Sequence, residues 1–501
     1  MAESTDLRRW LTSGASAIKR ARQHLDSINV FPVPDSDTGT NMYLTLHEGN
    51  RAVAKLPESA THREVVAAFT RGALLGARGN SGVIVSQYLT SFLTAIDASG
   101  GLSGAKPKAI ASALEQASDA AYRAVGAPVE GTVLTVARRA AEGARAAVQS
   151  GADREGTVVE AVVSARAALA RTHEDLPSAR EAGVVDAGAA GLLLQLEMLA
   201  ETMAGAHALD GFDDVPWELR DNGVVVSASD VHSHEGGAYE VMFVVRDEHD
   251  IREALTGELQ TIGDSVAVTG AHDLYQAHVH TDEPHIAVEH GIATHARQIV
   301  VRNIVASHDA DRASTGVVAL TTCPGMAEPL ADAGAVVLVV PDPTGVSKRG
   351  LRRAVKDASG THAVVVAGHP HLRAAAVELA HKRRKEPSLT VLEAEHEAHV
   401  VAAVAAAALT TPGQDLAEEM RAAVARTSVT ASTGDALDQD VDALVTAQTE
   451  VVSLILAAGV PEAVAEKART SVPAVARAAD VNVYRGGHAH PPVWIGVEST
   501  A

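Results

Sequence analysis

The chain has one cysteine, Cys323, in 501 residues. A single thiol excludes an internal disulfide framework and a multi-cysteine zinc ribbon, and it suits a reducing cytoplasm. Aromatic residues are scarce, 3% against 46% apolar overall. Cores must therefore be built from Ala, Val and Leu, as in helix pairs and α/β layers. Positive charge is short as well: 42 Lys plus Arg face 63 Asp plus Glu, a formal charge of −21. Such a field repels phosphate backbones and speaks against nucleic acid as a partner. Long apolar runs are missing too. The longest, Val400 to Leu409, is about half of what a spanning helix needs and is mostly alanine. Met1 to Lys19 mixes Asp6, Arg8 and Arg9 with scattered apolar residues and has no secretory apolar run. The expectation is a cytoplasmic protein with no membrane span.

At about 150 residues per domain the length suggests about three domains. Residues 1–205 read as an all-α domain of helices joined by glycine loops. Thr61-His62-Arg63-Glu64 is a capping box, and Val65, Val66, Phe69 and Leu74 follow it at helical spacing. Ile84, Tyr88, Phe92 and Ile96 repeat every four residues. Further helices are predicted near 108–125, 131–148, 157–172 and 189–204. Residues 206–215 suit a linker. Strands at Val224–Val226, Tyr239–Val245, Ser265–Val268 and Ala277–His280, with a helix over Asp250–Leu259, predict a small α+β middle domain, 216–310. From Thr315 the Val-rich runs Gly316–Leu320, Ala335–Val340, Ala363–Ala367 and Leu389–Leu392 alternate with helical stretches. That alternation predicts a parallel sheet with crossover helices in a C-terminal α/β domain, 315–501. Within it the alanine-rich 396–425 reads as helix, and Thr427–Asp440 has no readable period. Strands at Val451–Ala457, Val481–Tyr484 and Val493–Val497 with a helix over 461–469 close the chain.

The segment Asn29–Met42 (NVFPVPDSDTGTNM) carries the most chemistry. Pro32 and Pro34 forbid a helix and set an extended approach. Asp35 and Asp37 then offer hard oxygen ligands, the type that Mg²⁺ takes together with phosphates. Thr38, Gly39, Thr40 and Asn41 add backbone and side-chain donors. The same spacing also fits an acidic turn capping a helix that starts near Asn41. A second loop, Gly76–Gly82 (GARGNSG), lies between two apolar-periodic segments. The N–H groups of Gly79, Asn80, Ser81 and Gly82, ahead of a helix opening at Val83, would make an anion site, with Arg78 adding charge. A tight helix–helix turn is the alternative. Pro128–Thr132 and Gly183–Gly191 also precede helices. Four glycine-marked helix starts suggest a common rim for a nucleotide.

Among the 23 histidines, His278 and His280 stand at i and i+2 on a predicted strand and share one face. A carboxylate or thiolate from a neighbouring strand would complete a zinc-like site. A merely hydrogen-bonded pair is the alternative. His232 and His234 form a second pair of the same spacing.

The stretches Asn29–Met42, Gly76–Gln87 (GARGNSGVIVSQ), Glu130–Arg138 (EGTVLTVAR) and Gly183–Leu193 (GVVDAGAAGLL) resemble the DhaL-type nucleotide-binding domain. The chain is similar to the catalytic subunit of bacterial fatty-acid kinase, the FakA-like or YloV-like proteins. The likeness runs on through Ala277–Thr281, Tyr484–Gly487 and Val493–Glu498. It implies an N-terminal all-α DhaL-like helical barrel that binds ATP at one end, with Asp35 and Asp37 holding a pair of Mg²⁺ ions. The glycerone-kinase pattern has a further Asp five residues before that pair. Here Val30 stands in its place, so the third ligand is assigned to Asn29. Thr38, Asn41 and Gly79–Gly82 would hold phosphates, and Thr132, Asp186 and Gly188 would lie near the nucleoside. Relatives carry a cysteine beside the tyrosine of the strand neighbouring the histidines. This chain has Glu240 after Tyr239 and would ligate zinc through oxygen. The family's glycine between the two carboxylates is Ser36, which costs about 1 kcal/mol if that position needs a positive φ. The resemblance further implies a DegV-like carrier that holds the fatty acid and docks on the C-terminal domain. A homodimer stays open.

A carboxylate acceptor, with a pKa of about 4, is already ionised at neutral pH. Phosphoryl transfer to it needs positioning and charge neutralisation and no protein base. An alcohol acceptor would need a base, and the four motifs offer no obvious one, which favours an acyl phosphate product. Two other readings stay open: a glycerone-type small-molecule kinase, and a nucleotide-binding scaffold whose catalysis Ser36 has blunted.

Overall fold

The computed structural model describes residues 2–205, 207–210, 237–271, 273–304, 315–358, 361–382, 388–411, 414–433, 435–461, 463, 464, 466 and 479–499. The predicted strand Val224–Val226 and the pair His232 and His234 lie outside the described residues, as do most of the linker and of the helix at 461–469. Two compact units are present: Met1–Gly237 with Val245–His280, and Ala238–Val244 with Thr281–Ala501.

The helices of the first unit are α1 (Ala2–Ser27), α2 (Thr38–Val53), α3 (His62–Gly76), α4 (Gly79–Ala98), α5 (Pro107–Ala124), α6 (Val133–Gln149), α7 (Arg154–Leu169), α8 (Thr172–Asp175), α9 (Pro177–Ala182) and α10 (Ala187–Ala204). The chain continues with β1 (Tyr239–Arg246), α11 (Arg252–Leu259), β2 (Asp264–Ala271), β3 (Leu274–Thr281), α12 (Pro284–Ala293), β4 (Arg297–Asn303) and β5 (Thr315–Thr321). Then come α13 (Ala327–Asp332), β6 (Val336–Val339), α14 (Lys348–Asp357), β7 (His362–Ala367), α15 (Pro370–Lys382) and β8 (Ser388–Val391). The last elements are α16 (Glu397–Leu409), α17 (Leu416–Arg426), β9 (Thr427–Ser432), α18 (Leu437–Leu444), β10 (Thr449–Leu456), β11 (Asp480–Arg485) and β12 (Val493–Ser499).

In the first unit α1, α2, α4, α5, α6, α7 and α10 pack each on the next, and α10 returns to α1, which closes a ring. Alanine lets these helices approach closely. Ala113, Ala117, Ala140, Ala144, Ala161 and Ala165 are all fully or nearly fully buried in one core with Leu, Val and a few aromatics. Trp10 supplies the closing contact: its Nε1 donates to the Gln195 carbonyl at 3.0 Å, and Gln195 Nε2 donates back to the Gly14 carbonyl at 2.9 Å. The capping box at Thr61 and Glu64 forms as the sequence predicts. The antiparallel pair β2–β3, with Ala267 opposite His278 and Thr269 opposite Gln276, packs on α3, α4 and α5. Its seam is partly backbone, since Gly126 N donates to the Val266 carbonyl at 2.9 Å.

The second unit holds strands in the order β1-β4-β6-β5-β7-β8. The pairs β5–β6, β5–β7 and β7–β8 are parallel, as the alternating pattern predicts, while β4 runs antiparallel to both β1 and β6. A four-stranded sheet, β11-β10-β12-β9, follows. Two strands escape the sequence reading. In β4 only Ile299, Val300 and Val301 are apolar, too short a run to show a period, and β9 is a polar edge strand paired to β12 alone.

Candidate functional site

The starts of α2 and α4 meet at one corner of the first unit, where the hydroxyls of Thr38 and Ser81 stand 3.0 Å apart. The approach to α2 contains a cis Phe31–Pro32 peptide, and Val30 is buried there with Leu176 and Ala179. Helix α2 starts at Thr38, three residues earlier than predicted, with Asp37 at the N-cap. The Asp37 side chain makes no capping bond. Its carboxylate accepts instead from Asn41 Nδ2 at 2.7 Å. Asn29 donates through Nδ2 to Asp35 Oδ1 at 2.5 Å and accepts at Oδ1 from the Thr38 hydroxyl at 2.9 Å. The amide therefore orients Asp35 and ties it to the helix start. Between the two carboxylates Ser36 has φ +50°, the left-handed conformation that costs a residue bearing a Cβ about 1 kcal/mol.

Helix α4 begins at Gly79 and not at Val83, so Gly79, Asn80 and Ser81 form its first turn. The sequence misleads here because Gly-Asn-Ser-Gly shows no apolar period. The first intrahelical bond runs from Gly82 N to the Arg78 carbonyl at 2.9 Å, and the three N–H groups before it have no partner within the helix. A Cβ at Gly79, whose φ is +52°, would come within 2.3 Å of Asn41 Nδ2. Gly39 plays a different part. A Cβ there would meet the Arg22 carbonyl of α1 at 2.5 Å, so its bareness serves helix packing. Arg78 is buried, and one guanidinium N–H donates to the Gly76 carbonyl at 3.1 Å.

The sequence reading missed Asp26. This buried carboxylate accepts from Thr40 N at 2.9 Å and from the Thr40 hydroxyl at 2.8 Å. Burial pushes its pKa up, against the pull of the two Thr40 bonds, and the charge of Asp37 pushes it further. A signal was available: Asp26 stands in the last turn of α1, where the helix dipole disfavours an acid.

The starts of α6 and α10 form a second group. Thr132 caps α6 by accepting from Leu134 N, and Asp186 caps α10 by accepting from Ala189 N at 2.7 Å. A Cβ at Gly188 would lie 3.5 Å from Val133 Cβ, and one at Gly191 would meet Met42 Sδ at 2.5 Å. Helix α10 thus flanks both α6 and α2, and the four small-residue helix starts share one end of the ring. Burial raises Asp186 to about 6, against the pull of the Ala189 and Val133 N–H groups. The loop before α6 is held by Glu130, whose two oxygens accept from Arg138 at 2.8 and 2.7 Å. That bond takes the Glu130 carboxyl down to about 2.

His278 and His280 are both buried on β3, with ring centroids 4.8 Å apart. Glu240 is buried as well and ion-paired with Arg302. Cys323 is buried, and burial drives its thiol far above the ordinary range. Among the described residues no helix is long and apolar enough to cross a membrane.

The α2–α4 corner suits a magnesium–phosphate group by its donor set. Hard carboxylate oxygens stand at Asp35 and Asp37 beside a helix N-terminus, and Asn80 Oδ1 is buried with no hydrogen-bond partner among the described residues.

A model of the DAK2 domain matches residues 32–201, and one of the FakA-like middle domain of fatty acid kinase matches residues 236–310. The chain is 35% identical over 283 residues to Protein YloV of Bacillus subtilis, covering 55% of this chain and 50% of that one. It is 33% identical over 288 residues to an uncharacterized protein of Staphylococcus aureus and 32% identical over 283 residues to one of Staphylococcus haemolyticus, each match again covering 55% and 50%. The chain thus spans about half the length of the curated relatives it matches. A DAK2 domain is thus followed on one polypeptide by a domain that matches the FakA-like middle domain.

Proposed function

We propose that the chain is an ATP- and Mg²⁺-dependent phosphotransferase, the kinase subunit of a fatty-acid kinase, acting in the cytoplasm. Its acceptor is a fatty-acid carboxylate presented by a DegV-like carrier, and its product an acyl phosphate. The convergence of the α2 and α4 starts beside Asp35 and Asp37 carries this reading. In it the first-turn N–H groups of α4 and the Thr38 and Ser81 hydroxyls bind phosphate oxygens. Asp35, held by Asn29, and Asp37, held by Asn41, supply the ligands for Mg²⁺. When bound, Mg²⁺ supplies charge neutralisation on the phosphates. Thr132, Asp186 and Gly188 border the nucleoside. No protein base is needed, because the acceptor is already an anion.

The test is incubation of the protein with labelled ATP and a fatty acid plus carrier, against dihydroxyacetone alone. Label in the acid fraction supports the reading; label in dihydroxyacetone moves the chain to the glycerone-type kinases. The strained Ser36 favours one further reading, a nucleotide-binding scaffold. It predicts calorimetric ATP binding with no label transferred to either acceptor. For His278, His280 and Glu240 we propose a zinc-type site, which metal analysis of the purified protein and of a His278→Ala variant tests directly.

A further inference from the structure

The joint between α3 and α4 is two residues long, Ala77 and Arg78, and wholly buried. Buried backbone polar groups need partners, and here each can be traced. Ala77 N donates to the Leu74 carbonyl at 3.3 Å, closing α3. Arg78 N donates to the Thr45 hydroxyl at 3.3 Å, and the Arg78 carbonyl accepts from Gly82 N, opening α4. The Ala77 carbonyl belongs to neither helix. It accepts from Gln276 Nε2 at 2.7 Å, a donor on β3, 199 positions along the chain. Gln276 is fully buried, and its Oε1 has no partner among the described residues. Thr269, opposite it on β2, is fully buried, and its hydroxyl has no partner among the described residues. Placing a polar pair inside a protein is costly, so the one bond made there marks what the pair is for.

From these contacts we infer that Gln276 is a positioning residue: strand β3 sets the first turn of α4 through the Ala77 carbonyl, and so sets nucleotide affinity. The inference rests on the nucleotide reading of the α2–α4 corner. Ala77 lies two residues before Gly79, so a shift of its carbonyl moves the first-turn N–H groups almost directly. Gln276, His278 and His280 alternate along β3 and share one face. The strand that carries the histidine pair is therefore the strand that holds the loop.

The test compares wild type with Gln276→Met, which keeps the volume and loses the donor, and with Gln276→Glu, which keeps the length and loses the amide N–H. Thr269→Val serves as a control that leaves the Ala77 bond intact. Hydrogen exchange of residues 78–82 is read without nucleotide, and ATP affinity by calorimetry. We expect faster exchange at 78–82 in both Gln276 variants, unchanged exchange in the helices away from the joint, and about tenfold weaker ATP binding. Thr269→Val should behave as wild type. Unchanged exchange at 78–82 in a folded Gln276 variant overturns the inference, as does equal loosening by Thr269→Val. Wild type that binds no ATP overturns the nucleotide reading, while the exchange result still decides the role of Gln276. If Gln276→Met does not fold, Gln276→Glu carries the same comparison.

Discussion

Two loops of this protein use the same materials and end differently. The Thr321–Gly325 turn after β5 and the Asp35–Asn41 segment before α2 both bring hydroxyls, small residues and a carboxylate together. At the first, Glu397 is completely buried. Its carboxylate accepts from the Thr321 hydroxyl, Thr322 N and the Thr322 hydroxyl, each at 2.7 Å. Gly368 makes room for it, since a Cβ there would lie 2.4 Å from the carboxyl carbon. Every donor is consumed internally, so the acid works as a rivet. At the second, Asp35 and Asp37 are each gripped by an asparagine amide and remain partly exposed, beside the start of α4, whose first N–H groups have no partner within the helix. Composition does not distinguish the two loops. The difference lies in burial: Glu397 is sealed in by its donors, while Asp35 and Asp37 keep an exposed side.

Five substitutions sharpen that contrast. Asp35→Ala or Asp37→Ala should lower ATP turnover at least ~10²-fold, the scale of losing a preorganised charge contact, with helical content by circular dichroism unchanged. Turnover retained in both variants would falsify the metal assignment. Glu397→Ala should do the reverse. It strands the buried Thr321 donor and the half-buried Thr322 donors at a cost on the order of 3 kcal/mol, seen as a lower urea midpoint, and leaves calorimetric ATP affinity where it was.

Asp186→Asn is smaller and depends on pH. Burial raises the folded-state pKa of Asp186 from 3.8 to about 6. A raised pKa contributes stability below the unfolded value that is lost as pH rises through the folded one, so wild type is penalised at pH 8 by on the order of 3 kcal/mol. The asparagine can still cap α10 without carrying charge. It should match wild type near pH 4 and exceed it by pH 8, with the gap opening between. A constant difference across that range would show that burial of the charge is not the cause. The smallest effect is Ser36→Gly, which relieves the left-handed serine by about 1 kcal/mol. Its midpoint should rise, and a fall would mean that the serine hydroxyl has a partner worth more than the strain.

Much of this was legible in the sequence where a period or a cap marks it. The Thr61 capping box, the helical stretches of the first unit and the parallel β5, β6, β7 and β8 all follow from such marks. What failed follows from missing periods. The first turns of α2 and α4 read as loop because Thr-Gly-Thr and Gly-Asn-Ser carry no apolar face, although both are helical. That Gly39 also lets α2 pack closely on α1 is a contact that needs the position of α1. Asp26 and Gln276 act across 14 and 199 positions, beyond any local motif. The order of helices and strands was readable, but these tertiary hydrogen bonds were not.

The most direct measurement is a crystal structure with a non-hydrolysable ATP analogue and Mg²⁺. The account predicts metal density at Asp35 and Asp37, with the phosphates over the first turns of α2 and α4. A nucleotide bound away from that corner, with Asp35 and Asp37 facing only water, would contradict it.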